Sequence, residues 1–331
     1  MTAGTFDLGD FPLESGDVLR GAAMGYRTWG RLSPGGDNVV VLPSYYSGTC
    51  ASYAPWVRPG GLFDPERWFV VAYDQFGAGA SSRPSAMDGE GAWPRVALRD
   101  SVRAAKRLLS GLGVASVRLV AGWSMGGMQA FCWSALYPSM VRAAFALCAT
   151  PECGPVNRVF LEGIRGILDP GDGRSFKDLP PREAKARLSA FGKAYAGWAY
   201  SDAFFEKHGY ETVGYSSVGD VLEGWAADHR AMEGEDLLAQ LDVWLGSKFE
   251  APSEDAADGR FPRVLAMPCA TDRYFSPGAL SAQAHLVPGM TTVRLESDLG
   301  HIAGRPGIRP KETARIKDAV SVLLQEEPEA C

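Results

Sequence analysis

The sequence predicts an α/β fold: a mostly parallel sheet with helices on both faces and a helical insertion. Three observations carry this. Short apolar runs recur along the chain and read as continuous hydrophobic stretches, as strands covered on both faces do. Helical patterns separate these runs, the alternation of a parallel α/β sheet. One long stretch, from about residue 152 to 261, breaks the alternation and is helical throughout.

In chain order, the strands are expected at 39–42, 69–73, 117–121, 143–148, 264–270 and 291–295. Helices are expected at 95–112, 125–137, 277–286 and 311–325. Within the insertion the best helical segments are 182–198 and 218–244, punctuated by DPGDGRS and the acidic run EAPSEDAADGR. The expected organisation is a core in two parts, 1–151 and 262–331, around an inserted lid, 152–261. Insertions at strand ends usually carry substrate contacts.

Composition narrows the function. The 331 residues hold 33 Lys+Arg against 39 Asp+Glu, a net charge of −6, with 46% hydrophobic and 22% charged residues. That balance belongs to a globular protein and disfavours nucleic-acid binding. No run of about 18 apolar residues suggests a membrane span, and MTAGTFDLGDFPLESGD lacks the apolar core of a signal peptide. The expected setting is the cytoplasm, with reduced thiols. Of Cys50, Cys132, Cys148, Cys153, Cys269 and Cys331, none forms C-x-x-C, and Cys132, Cys148 and Cys269 read as buried small hydrophobes. His208, His229, His285 and His301 are too scattered for a dedicated metal site.

The chemistry concentrates at Gly122-Trp123-Ser124-Met125-Gly126-Gly127, between an apolar strand and a helix. That is the strand–turn–helix setting of a G-x-S-x-G nucleophile elbow, which lifts a serine above the sheet at a helix N-terminus. Ser124 is the expected nucleophile, and the Met125 N–H points at the developing oxyanion. Among the histidines, His301 follows the last strand in SDLGHIAG and is the expected base. Asp272 closes the 264–270 strand and is the expected orienting acid, in the order Ser, Asp, His. Its rival, Asp298, reads as a turn cap. The second oxyanion donor belongs to the loop Pro43-Ser-Tyr-Tyr-Ser-Gly48: the N–H of Tyr46, or failing that Tyr45. Tyr45 and Trp123 are the expected substrate contacts. Asp74-Gln-Phe-Gly-Ala-Gly-Ala-Ser81 lacks the spacing of a phosphate loop and reads as a turn.

Several stretches carry a resemblance: FPLESGDVLRGAAMGYRTWGRL, LFDPERWFVVAYDQFGAGASS, LRDSVRAAKRLLSGLGV, GWSMGGMQAFCWSALYP, DLLAQLDVW, ATDRYFSP and LGHIAGRPG. On these the chain resembles the homoserine O-acetyltransferase family of the α/β-hydrolase superfamily. The resemblance implies the α/β-hydrolase fold, a Ser124–Asp272–His301 triad, acyl transfer through an acyl-serine, and a helical lid that builds a homodimer. Two departures bear on substrate. A His-Ala-Leu-Thr-Gly-like loop is replaced by Ser44-Tyr-Tyr-Ser-Gly48, and the Gly-His-Asp of the family becomes Gly300-His301-Ile302. The expected activity is therefore cleavage of a small ester or amide. The alternatives are O-acyl transfer from acyl-CoA to a hydroxyl acceptor, and a hydrolase-fold binding protein, which would have no need of all three triad residues. No metal and no organic cofactor is required, and acyl-CoA is the possible co-substrate. Arg58, Arg83, Arg158 and Arg165 are candidates for its phosphates. An aromatic lid, with Trp198, Tyr200, Phe204, Phe205, Tyr210, Tyr215, Trp225 and Trp244, suggests a partly apolar substrate.

Overall fold

The computed structural model describes residues 1–87, 92–171, 173–250 and 261–325. Their strands form one sheet in the order β1-β2-β4-β3-β5-β6-β7-β8. The strands are β1 (Thr2–Pro12), β2 (Val18–Trp29), β3 (Val39–Pro43), β4 (Phe69–Tyr73), β5 (Leu119–Trp123), β6 (Ala143–Leu147), β7 (Arg263–Met267) and β8 (Thr291–Thr292). β1 pairs with β2, and β2 with β4, antiparallel; the remaining neighbours are parallel. β3, β5 and β6 are buried along their whole length. That matches their unbroken Val, Leu and Ala content, because helices cover both faces of such a sheet.

The helices are α1 (Leu98–Gly111), α2 (Met125–Leu136), α3 (Pro155–Leu168), α4 (Pro181–Ala199), α5 (Asp202–Glu206), α6 (Val218–Arg230), α7 (Gly234–Leu245), α8 (Pro277–Gln283) and α9 (Pro310–Gln325). Helices α3 to α7 lie between β6 and β7. Within this group α4 packs along α6, and Gly192 permits their closeness: a Cβ there would stand 2.5 Å from the Trp225 carbonyl oxygen. Among the described residues no helix is long and apolar enough to cross a membrane.

Four elements differ from the sequence expectation. The β1–β2 hairpin has no counterpart in it, because β1 is mostly exposed and buries only Leu8 and Phe11 deeply, so no continuous apolar run marks it. The expected strand 264–270 ends at Met267, since Pro268 has no N–H to give the ladder. The expected 291–295 strand shrinks to Thr291–Thr292 plus a single bridge from Leu295 to Cys269. The expected helix 218–244 is two helices. The chain breaks ahead of Gly234, where any side chain would meet the Phe176 ring at 2.4 Å. Cys331 and residues 251–260 of the acidic run lie outside the described residues.

Candidate active site

β5 delivers Ser124 and α2 begins at the next residue. Ser124 has φ 58° and ψ −130°, a conformation that costs a non-glycine residue energy and that the flanking glycines make attainable. A Cβ on Gly122 would sit 2.1 Å from the Gly126 carbonyl atoms, and one on Gly126 would sit 2.5 Å from Pro43 O. The turn therefore closes only with hydrogen at both positions. The Ser124 N–H donates to Leu147 O on β6 at 2.9 Å, which fixes the turn against the sheet.

Three buried side chains meet here. Ser124 Oγ lies 2.9 Å from His301 Nε2, and His301 Nδ1 lies 2.8 Å from Asp272 Oδ2. Asp272 Oδ1 accepts the backbone N–H groups of Tyr274 and Phe275 at 2.8 and 3.0 Å. The Asp272 carboxylate is thus spoken for on both oxygens, which holds the imidazole with its proton on Nδ1 and a lone pair on Nε2 facing the serine. Trp123 stacks on the His301 ring at 5.0 Å, and its Nε1–H donates to His301 O at 3.1 Å. The Cys148 sulfur lies within 4.8 Å of ligand atoms of both Asp272 and His301, and burial pushes its thiol well above the usual range. It is therefore a neutral neighbour of the acid, not a thiolate.

The other candidates lie elsewhere. Asp298 does not cap a turn with its carboxylate; it pairs with Arg309 at 2.7 Å, while its carbonyl accepts from Ser201. His208 is exposed beside Glu211, and His285 sits in the short 3-10 turn after α8. Asp74 is not part of a phosphate loop: its Oδ1 accepts the Cys50 N–H at 2.5 Å and its Oδ2 the Ala80 N–H at 2.9 Å, closing the turn as a structural knot.

A cavity of about 160 Å³ opens over Ser124. Tyr45, Tyr46 and Trp123 line it, as do Tyr195, Trp225 and His229 from the inserted helices. Of the eight lid aromatics singled out in the sequence, Tyr215 and Trp225 reach it and the others do not. Tyr200 and Phe204 stack on each other at 3.8 Å, and Trp244 on Phe275 at 5.3 Å. Of the four arginines considered for phosphate, none lines the cavity. Arg83 pairs with Asp236, Arg158 with Glu162, and Arg165 with Asp169 and Asp242. The cation at the cavity is Arg305, and its place three residues after Ile302 in GHIAGRPG was the only signal for it.

The loop after β3 is tied to the inserted helices. Ser47, at φ 58°, donates its N–H to Gln240 Oε1 at 3.0 Å, and Gln75 Nε2 donates to the same oxygen at 3.3 Å. Gln240 Nε2 returns a bond to Gly77 O at 2.8 Å. Tyr46 is held in addition through its hydroxyl, which donates to Leu237 O at 3.4 Å. One buried amide on α7 thus joins the loops after β3 and β4. Sequence pattern gave no sign of this, because a glutamine on a helix carries no spacing signature.

Comparisons with known proteins identify the family. The family profile described as alpha/beta hydrolase fold matches residues 39–303. A homoserine O-acetyltransferase from Trichormus variabilis is 27% identical over 320 residues, covering 88% of this chain and 87% of that protein. An ethyl acetate hydrolase from Pseudomonas veronii is 26% identical, covering 89% and 88%. The structure of an acetylester hydrolase from Corynebacterium glutamicum superposes with a TM-score of 0.86 at 23% identity, over 98% of this chain and 96% of that one. The chain belongs to the alpha/beta hydrolase fold family, and the members it resembles are esterases and O-acyltransferases.

Proposed function

We propose that this enzyme hydrolyses a small ester through an acyl-Ser124 intermediate. The observation that carries the reading is the hydrogen-bonded chain Ser124–His301–Asp272 opening onto a cavity of about 160 Å³, room for a short acyl group. Ser124 Oγ attacks the ester carbonyl and gives its proton to His301 Nε2. The negative charge collects on the former carbonyl oxygen, held by the N–H groups of Met125 and Tyr46; one such donor is worth about 2.7–4 kcal/mol. The tetrahedral adduct collapses, the alcohol leaves with the proton from His301, and the acyl group stays on Ser124. Water then attacks, His301 takes its proton, and Ser124 is regenerated as the acid departs.

Transfer to a hydroxyl acceptor is the second reading, supported by the similarity to a homoserine O-acetyltransferase. Two features favour water. Ile302 follows the base where the resembled family carries an aspartate, so the cavity's carboxylate is Asp228 on α6 and not a neighbour of the base, and the four arginines considered for CoA phosphates do not line the cavity, whose arginine is Arg305. The deciding experiment mixes the protein separately with p-nitrophenyl acetate and acetyl-CoA and weighs the intact protein at intervals, with Ser124→Ala as control. A Ser124-dependent acetyl adduct that decays at one rate with or without L-homoserine or L-serine establishes the hydrolase. An adduct from acetyl-CoA that persists until an acceptor arrives establishes the transferase.

Gln240 offers a separate check on the oxyanion loop. Gln240→Leu leaves the Ser47 N–H and Gly77 O without their partner, and an unpaired buried group costs about 1–3 kcal/mol. The expected outcome is a kcat on p-nitrophenyl acetate lowered about tenfold or more, with the far-ultraviolet circular dichroism unchanged. An unaltered kcat would show that the loop keeps its shape without the amide. For assembly, we expect the homodimer contact on the inserted helices, where Val156 and Val159 of α3 are exposed apolar side chains.

A further inference from the structure

His229 stands near the end of α6 and lines the same cavity as Ser124. It is 4% exposed. Its Nδ1 lies 2.7 Å from Trp225 O, and a carbonyl oxygen only accepts, so Nδ1 carries the proton. Burial pushes its pKa down, which keeps the ring neutral and leaves Nε2 as a bare acceptor. That Nε2 has no hydrogen-bond partner among the described residues.

The ring is fixed in place. It stacks on Trp225 at 5.8 Å and meets Tyr195 edge-on at 5.8 Å. A side chain at residue 192 would press within 3.0 Å of Nδ1, so glycine there leaves the imidazole its place. Two of the nearby hydroxyls point elsewhere: Tyr46 donates to Leu237 O and Tyr274 to Tyr195 O. A buried acceptor without a donor is a standing cost, and a ligand that supplies the donor removes it.

We infer that His229 sets substrate preference: its Nε2 accepts a hydrogen bond from a hydroxyl or N–H that the substrate carries close to its ester group. The enzyme then favours hydroxylated or amino-bearing small esters over hydrocarbon isosteres of the same shape. A site built to pair a substrate donor discriminates strongly against analogues that lack it, whereas an apolar pocket discriminates little. This rests on the acyl-Ser124 reading and specifies its substrate class.

The test uses two isosteric pairs. p-Nitrophenyl glycolate and p-nitrophenyl propionate differ by OH for CH₃ on the acyl side. 2-Hydroxyethyl acetate and propyl acetate differ in the same way on the alcohol side. The ratio of kcat/KM within each pair is compared between the wild type and His229→Leu, so intrinsic ester reactivity cancels. The expected result is a hydroxyl preference that falls at least fivefold in His229→Leu for one pair or both, and that His229→Gln retains in part through its amide oxygen. A smaller change in both pairs, with turnover still dependent on Ser124, overturns the inference. If His229→Leu does not fold, His229→Phe keeps a flat ring without the acceptor and supplies the same ratio. If the wild type shows no Ser124-dependent turnover of any of the four esters, the acyl-serine reading itself fails.

Discussion

Asp272→Asn lowers kcat by about four orders of magnitude while leaving the fold and substrate binding largely intact. The direction follows from the two backbone N–H groups of Tyr274 and Phe275, which both point at Oδ1. An asparagine must turn its carbonyl oxygen to them, because its NH₂ would leave them facing a donor. The NH₂ then faces His301 Nδ1 in place of Oδ2 and forces that nitrogen to accept. The imidazole proton moves to Nε2, where it faces Ser124 and cannot receive the serine proton. A wrong tautomer of this kind costs about 10⁴ in kcat in the serine-protease triad. Steady-state kinetics against p-nitrophenyl acetate, alongside a melting curve, checks it. A variant within tenfold of wild type would mean that Asp272 does not control the tautomer.

The second large effect is on folding. Gly122→Ala places a methyl group 2.1 Å from the Gly126 backbone, and backbone at a strand–helix junction has nowhere to retreat. Overpacking a core costs typically about 1–3 kcal/mol, and contact with fixed backbone puts this site at about 3 kcal/mol or beyond. Urea denaturation of Gly122→Ala should show a midpoint far below wild type, or the protein should fail to accumulate. The matched control is Gly163→Ala or Gly166→Ala in α3. Both glycines are exposed inside a helix, and a Cβ there meets nothing within 4 Å. Each should gain about 0.5–1 kcal/mol, because alanine loses less backbone entropy on folding. If Gly122→Ala behaves like the α3 variants, the elbow is looser than its distances say.

The parts of the site legible in the sequence are those fixed by local geometry. The Gly122–Gly127 motif announces its own turn, and the positions of Asp272 and His301 after late strands follow from chain order. The apolar strands were legible because burial on both faces writes an unbroken run. β1 and β2 were not, since a half-exposed hairpin writes a mixed pattern. Contacts made by single side chains across long sequence distance left no trace. Gln240 reaches Ser47 across 193 residues and Arg83 reaches Asp236 across 153, and neither has a spacing rule. The arginines show the same limit: a surface cation shows its charge in the sequence but not its partner, as with Arg83 and Asp236.

The strand order also bears on synthesis. The first six strands form one contiguous block, β1-β2-β4-β3-β5-β6, and β7 and β8 add at its open side in sequence order. A chain leaving the ribosome can therefore complete the block that carries Ser124 while Asp272 and His301 are still unmade. The nucleophile is born disarmed, and its acid and base arrive only with the final two strands and the segment after them. A nascent or C-terminally truncated chain can therefore hold most of the sheet and still lack the two side chains, His301 and Asp272, that form a hydrogen-bonded chain with Ser124 in the finished molecule.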